Sequence, residues 1–387
     1  MRVTARLGGL ITSTVTVMIV VAGLLTGSAT AAPAPPTARV GTVLQQTALA
    51  PSQLPTGAAR GYRLLYVTRD QRGRPVTSTG ALYLPRGQAP AGGWPVFSWA
   101  HGTSGISDQC SPSAEPGARR DALEPSISRA LRSGYAVTAT DYPGLGSGGV
   151  AEYLGGRAEG YAVIDMIRAG RRVDPQLSRR WVSSGHSQGG HAAIWAAHLA
   201  PRYAPELPLK GTVAFAPASQ IERIFPVLAP GAPDLGRFNG AAGLLLYVIS
   251  GLDHARPELH VQDHLTPLGR DWVARARTLC VFQLATALRN VAPGTLVARP
   301  FTDPATTAAL IDYLAVPAGG YRTPVRIEHG TSDTTVPFPL SVALTAQMRA
   351  AGTDVTLIPY PGVDHRGVTR AAEADAFATV AADFARR

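Results

Sequence analysis

Lysine is almost missing from this 387-residue chain: Lys210 is the only one, so the remainder of its 36 basic side chains are arginines. The arginines are scattered, with no dense stretch interleaved with aromatics. The net charge of +10 therefore reads as compositional bias with some attraction to anionic surfaces, and it excludes nucleic acid as the expected partner. Cysteine is equally scarce. With only Cys110 and Cys280, an exported chain would hold one disulfide; two buried free thiols are the alternative. Long apolar runs are absent beyond the N-terminus. The run Ala241 to Ile249 is too short to span a bilayer, and there are no internal repeats. What remains is 45% hydrophobic and 16% charged, the balance of a packed globular protein.

The first residues carry Arg2 and Arg6, an apolar run from Leu7 to Leu25, and the small residues Ser28-Ala29-Thr30-Ala31-Ala32. This is the pattern of a secretory signal over residues 1–32, cleaved near Ala31 or Ala32, and it implies a secreted protein. A retained anchor is the competing reading. No cysteine stands near the cleavage site, which excludes lipid attachment there. Residues 33–60, rich in Pro and Ala, read as a loosely held arm.

Downstream, β-branched and aromatic runs at Tyr62–Val67 and Thr77–Leu84 flank a polar turn and predict an antiparallel hairpin. Buried strands are expected at Pro95–Ala100, Tyr135–Thr140, Trp181–Ser184, Gly211–Ala216, Pro324–His329 and Val355–Tyr360. Helices are expected near Leu123–Ser133, Glu159–Gly170, His191–Leu199, Pro339–Ala351 and Arg370–Phe384. Strands alternating with helices define an α/β fold with a mainly parallel sheet. Residues 217–323 are far longer than a crossover requires, so they read as an inserted helical cap between core segments 33–216 and 324–387.

The chain is organised around Gly185-His186-Ser187-Gln188-Gly189, a G-x-S-x-G sequence between a strand and a helix. A serine hydroxyl needs an adjacent base to become a nucleophile, and a sharp turn would lift Ser187 off the sheet to meet one. In this fold the partners follow in the order acid, then histidine. Asp333 after one strand and His365 after the next fit that order, with His365 as base and Asp333 orienting it. Asp364 is the rival acid and His186 the rival base, while His329 reads as ordering its own turn. The N–H of Gln188 and the N–H of Thr103 are the expected oxyanion donors, with Gly102 the alternative to Thr103. Tyr142 borders the site, and Leu245 and Tyr247 from the insert are expected to line a substrate cleft. Phe225, Leu244, Leu246, Val248 and Ile249 are further candidates for that cleft. His260 and His264 stand at metal-ligand spacing, but no third ligand cluster accompanies them, so neither metal nor organic cofactor is expected.

The hairpin ending at Val76–Pro85, His101-Gly102-Thr103, Asp141-Tyr142-Pro143-Gly144-Leu145-Gly146, the elbow and the long insert together resemble the secretory lipase family, the lipase A type of α/β-hydrolase. The resemblance covers nearly all of the chain after the signal. It implies hydrolysis of lipid-like or other small hydrophobic esters, with transient contact at a lipid interface. It also implies Ser187, Asp333 and His365 as the triad, with the insert forming an acyl pocket. A serine peptidase or thioesterase on the same fold is the alternative, and a non-catalytic secreted binding protein a more distant one.

Overall fold

A computed structural model describes residues 38–114, 125–225, 228–234 and 239–386; the expected signal, residues 1–32, lies outside these. The antiparallel edge comprises β1 (Val43–Ala48), β2 (Ala58–Arg69) and β3 (Pro75–Pro85). The parallel strands are β4 (Trp94–Ala100), β5 (Ala136–Pro143), β6 (Leu177–His186), β7 (Leu209–Phe215), β8 (Val325–Gly330) and β9 (Val355–Tyr360). They join one nine-stranded sheet in the order β1-β2-β3-β5-β4-β6-β7-β8-β9. The arm expected at 33–60 is thus partly corrected: β1 pairs with β2 from Val43 opposite Tyr66 to Ala48 opposite Tyr62. Five of its six side chains are exposed, so an edge strand here leaves no apolar alternation to read.

In chain order the helices begin with α1 (Pro125–Arg132), α2 (Gly156–Val173) and α3 (Gln188–Tyr203). The insert carries α4 (Ile221–Ile224), α5 (Asn239–Ala255), α6 (Pro267–Ala276), α7 (Val281–Leu288) and α8 (Pro304–Leu314). After it come α9 (Phe338–Ala350), α10 (Val368–Ala371) and α11 (Glu373–Ala385). The last two replace the single expected helix, broken at Ala372. On one sheet face Ile127 and Leu131 of α1 and Phe377, Val380 and Phe384 of α11 bury against Phe97, Val137, Val182 and Val213. On the other, Val163, Ile164, Met166 and Ile167 of α2 and Ala192 and Ala196 of α3 cover Leu64, Leu82 and Trp181. Helix α2 packs tightly on α3 because Gly156 leaves room for the Trp195 indole, which a Cβ there would strike.

Residues 217–323 share an apolar cluster with Ile106, Tyr153, Leu154 and Val336. Leu246, Tyr247, Val248, Ile249 and Leu252 of α5 pack with Leu284 and Leu288 of α7 and Leu310 and Tyr313 of α8. No described helix is long and apolar enough to cross a membrane.

Candidate active site

The chain passes from β4 outward to β5, then returns to the other side of β4 to form β6. Such a reversal opens a crevice at the carboxyl ends of the strands, where ligands bind in open α/β sheets. The loops bearing His101–Thr103, Ser187, Asp333 and His365 follow β4, β6, β8 and β9, at that same edge.

Ser187 stands between β6 and α3 with φ 59° and ψ −117°, a backbone conformation that costs roughly 1–3 kcal/mol and persists only where its surroundings hold it. Its N–H donates to Phe215 O at 2.9 Å, and its carbonyl accepts from the N–H groups of His191 and Ala218, each at 3.1 Å. Gly185 and Gly189 are required by close approach: a Cβ at either would collide with the Ala100 carbonyl. The elbow is thereby pressed against the end of β4. The space above Gly102 opens toward Ser187, whose Cβ lies 3.8 Å from where a Gly102 Cβ would be. Gln188 is the first residue of α3, so its N–H has no partner within the helix and points with the positive end of the helix dipole.

His365 Nδ1 lies 2.6 Å from Asp333 Oδ2. Asp333 Oδ1 accepts from the N–H groups of Thr335 and Val336, both at 2.8 Å. Burial alone would raise this carboxyl, but hydrogen bonds from His329 and His365, the His365 charge and the Val336 N–H together hold it well below the usual carboxylate range. It is a fixed anion. With Nδ1–H donated to it, His365 presents Nε2 outward as the basic nitrogen. Asp364, the rival acid, instead accepts from the Gly367 N–H at 2.7 Å within its own turn.

His186 does not face the site as a base. Its Nε2–H donates to His365 O at 2.7 Å, and the two rings lie 4.6 Å apart. Burial, and then the neighbouring His365 charge, lower its pKa to about 3, so it stays neutral while bracing the loop that carries His365. His329 does more than order its turn: Nε2–H is shared between Asp333 Oδ2 at 3.1 Å and Val336 O at 2.9 Å, with Ser341 Oγ 2.7 Å from Nδ1.

Thr103 lies on the β4 loop, its Oγ1 2.7 Å from the Tyr153 hydroxyl. Tyr142 is buried at φ 72°, donates its hydroxyl to His101 O at 2.9 Å, and shares the wall of a narrow cavity with Ile106, Leu145, Tyr153 and Gln188. That cavity has room for about one water molecule. Tyr247 is fully buried, donates to Leu279 O at 2.8 Å and meets Tyr153 edge-on at 5.5 Å. Phe225, Leu246, Val248 and Ile249 are also buried in the insert's interior, contrary to the expectation of a cleft lined by that run. Neighbouring helices, together with Tyr153 and Leu154, supply enough complementary apolar surface to cover it. Leu244 and Leu245 are only partly buried. His260 adopts a left-handed conformation between two short 3-10 turns. His264 stacks on Phe301 and lies 3.0 Å from Pro300 O and 3.4 Å from Asp303, so the two histidines do not share a helix face.

Sequence reasoning missed a buried network beneath the elbow. Glu159 Oε1 accepts from Gln188 Nε2 at 2.7 Å and from the Leu154 N–H at 2.9 Å, while Oε2 lies 3.1 Å from His191 Nδ1. His191 Nε2 is 3.0 Å from Leu314 O at the end of α8. Both ring nitrogens face acceptors, and the pair ties the elbow helix to the insert. A glutamate and a histidine 32 residues apart gave no signal of this. The insert is anchored on the other side by the Cys110–Cys280 disulfide, by a bridge between Gly105 and Cys280, and by Val281 N–H to Ser104 O at 2.9 Å. These place the N-terminus of α7 beside the Thr103 loop. Its exposed Phe282 lies under the Arg366 guanidinium, 4.6 Å from the ring centroid and one residue beyond His365.

A mostly parallel sheet with a strained serine at the β6–α3 turn, and an acid and a histidine after β8 and β9, has the arrangement of an α/β-hydrolase. The sequence matches the model of the family described as Secretory lipase over residues 121–385, and the chain belongs to that family of carboxylic ester hydrolases. Lipase A of Moesziomyces aphidis is 27% identical over 336 residues, 79% of this chain and 68% of that protein. A probable inactive lipase of Mycobacterium tuberculosis is 30% identical over 222 residues, 54% of this chain, which thus spans about half of that relative's length (47%). Among solved structures, Candida antarctica lipase A in its closed state superposes with a TM-score of 0.74 at 22% identity, covering 89% of this chain and 82% of that one.

Proposed function

We propose that the chain is an exported esterase or lipase acting through Ser187, His365 and Asp333. The observation that carries this reading is the 2.6 Å bond from His365 to a depressed, fully hydrogen-bonded Asp333, at the same sheet edge as the strained Ser187. His365 Nε2 takes the Ser187 proton as Oγ attacks the ester carbonyl, and Asp333 stabilises the imidazolium without taking the proton itself. The oxyanion accepts from the N–H groups of Gln188 and Thr103. Collapse expels the alcohol, which receives the proton from His365, and leaves an acyl-enzyme. Water, deprotonated by His365, then releases the acid and restores Ser187. Export through a signal over residues 1–32 is supported by the family and by the disulfide.

Residues 217–323 act in this reading as a cap. Because Leu246, Tyr247, Val248 and Ile249 of α5 are buried in the apolar cluster, the acyl chain meets exposed Phe282 of α7 and the partly buried Leu244 and Leu245 of α5. Each buried methylene contributes about 0.8 kcal/mol, or roughly fourfold in kcat/KM. kcat/KM therefore rises from p-nitrophenyl acetate to medium-chain esters and then levels, and Phe282→Ala flattens the rise. A flat or falling series overturns the lipid reading and leaves the ester hydrolase, and better turnover of a peptide anilide replaces it with a peptidase. Because one relative is named as probably inactive, labelling of Ser187 by a fluorophosphonate is the companion measurement; no labelling of the folded protein would mark it as non-catalytic.

A further inference from the structure

Outside the candidate active site, the fold gathers charge that the sequence scatters. Arg39 precedes β1, Arg69 ends β2, Arg168, Arg171 and Arg172 lie on the last turns of α2, and Arg179 stands near the start of β6. All six line one open cleft of about 960 Å³. The single carboxylate on its wall, Glu206, is engaged by Arg168 at 2.7 Å, and Asp165 beneath is buried and bound by the same guanidinium at 2.7 Å. Among the described residues no carboxylate pairs with the other five. Arg172 reaches Val40 O at 3.1 Å and Arg171 reaches Leu177 O, contacts that satisfy donors without cancelling charge.

The cations act on one another. Burial and then Arg179 lower the pKa of Arg171, and burial, Arg168 and Arg39 lower that of Arg172. The negative end of a helix dipole accounts for Arg171 and Arg172 on the last turn of α2. It does not account for Arg39, Arg69 and Arg179, which arrive from three other segments. Nor can the preceding chain neutralise them: the first acidic residue in the sequence is Asp70.

Guanidinium forks match phosphate oxygens bidentately, and several guanidinium groups without a carboxylate partner around one cleft suit a ligand with several closely spaced negative charges. No aromatic side chain lines the cleft, so nothing there stacks a base. Strand β6 runs from Leu177 beside the cleft to His186 at the elbow, about 30 Å at the usual rise per residue. Arg179, near the start of β6, is thus separated from Ser187, after its end, by most of the length of that strand. We infer that this cleft is a second binding site, separate from the ester-hydrolysing one, for a water-soluble oligophosphate chain.

The test is calorimetric titration of the full secreted protein, at low salt, with sodium tripolyphosphate, inorganic phosphate, phosphatidylglycerol vesicles and a single-stranded oligonucleotide. Tripolyphosphate is expected to bind more tightly than phosphate, with affinity falling as salt is added. Arg39→Gln/Arg172→Gln/Arg179→Gln should weaken it by at least about tenfold and leave kcat/KM for p-nitrophenyl butyrate unchanged. Should the triple variant misfold, the exposed pair Arg39→Gln/Arg179→Gln gives the same readout with a smaller loss. No tripolyphosphate binding, equal affinity for phosphate, or undiminished affinity in the variants overturns the site. Vesicles or oligonucleotide bound in preference to tripolyphosphate would replace the proposed ligand with a membrane or a nucleic acid.

Discussion

At the scale of single residues, the site rests on who accepts whose proton. Asp333 receives four hydrogen bonds, two from backbone N–H groups and one each from His329 and His365, so its charge and orientation are both held. Ser187→Ala is expected to lower kcat for a p-nitrophenyl ester by ~10⁶ and abolish fluorophosphonate labelling, with unfolding temperature nearly unchanged. Persistent labelling would show that another nucleophile is at work. Asp333→Asn should cost roughly 10⁴ in kcat by disturbing the His365 tautomer. Asp364→Asn, which keeps an Oδ1 acceptor for the Gly367 N–H and removes only the charge, should cost far less. The reverse ranking would mean that the acid has been misassigned.

At the scale of elements, α7 is the joint between insert and core. Its first turn is fixed to the Thr103 loop by the disulfide and by Val281 N–H to Ser104 O, and Phe282 of that turn meets Arg366 beside His365. One short helix therefore touches both the Thr103 loop and the His365 loop. The disulfide joins residues 170 apart in sequence, so it restricts the unfolded chain strongly. Cys280→Ser is expected to lower unfolding free energy by ~2–4 kcal/mol in urea titration. Amide exchange should rise first in α7 and around Ser104. Unaltered exchange at those amides would mean that packing of Leu284 and Leu288 alone holds the helix in place.

Across the whole molecule, acid stability follows from groups held off their ordinary titration. His186 is lowered from 6.5 to about 3, and His198 and His254 are lowered too, chiefly by burial. Between pH 6.5 and 3 the unfolded chain binds protons that folded His186 refuses, so stability falls as pH falls through that window. Asp333, depressed from 3.8, adds stability that is present above that value and lost as pH falls further. Urea midpoints at pH 7.5 and pH 5 should therefore differ less in His186→Gln than in the parent, with His198 and His254 supplying the remaining fall. A difference equal to the parent's would show that His186 protonates in place.

The sequence alone determined the alternation of strands and helices, the elbow around Ser187 and the order of Asp333 and His365, because each depends on local period, turn chemistry or position after a strand. The hairpin edge was readable for the same reason. Edge strand β1 was not, since a strand bonded on one side and exposed along its length carries no apolar period. Tertiary structure alone decided that Tyr247 and its neighbours bury within the insert, because an apolar run looks the same whether it faces a cleft or another helix. It alone joined Glu159 to Gln188 and His191, and His186 to the His365 loop, through contacts across tens to more than a hundred residues. It also brought scattered arginines from four segments into one cleft, because side-chain proximity across a sheet and a helix end depends on how elements pack, which no linear spacing records.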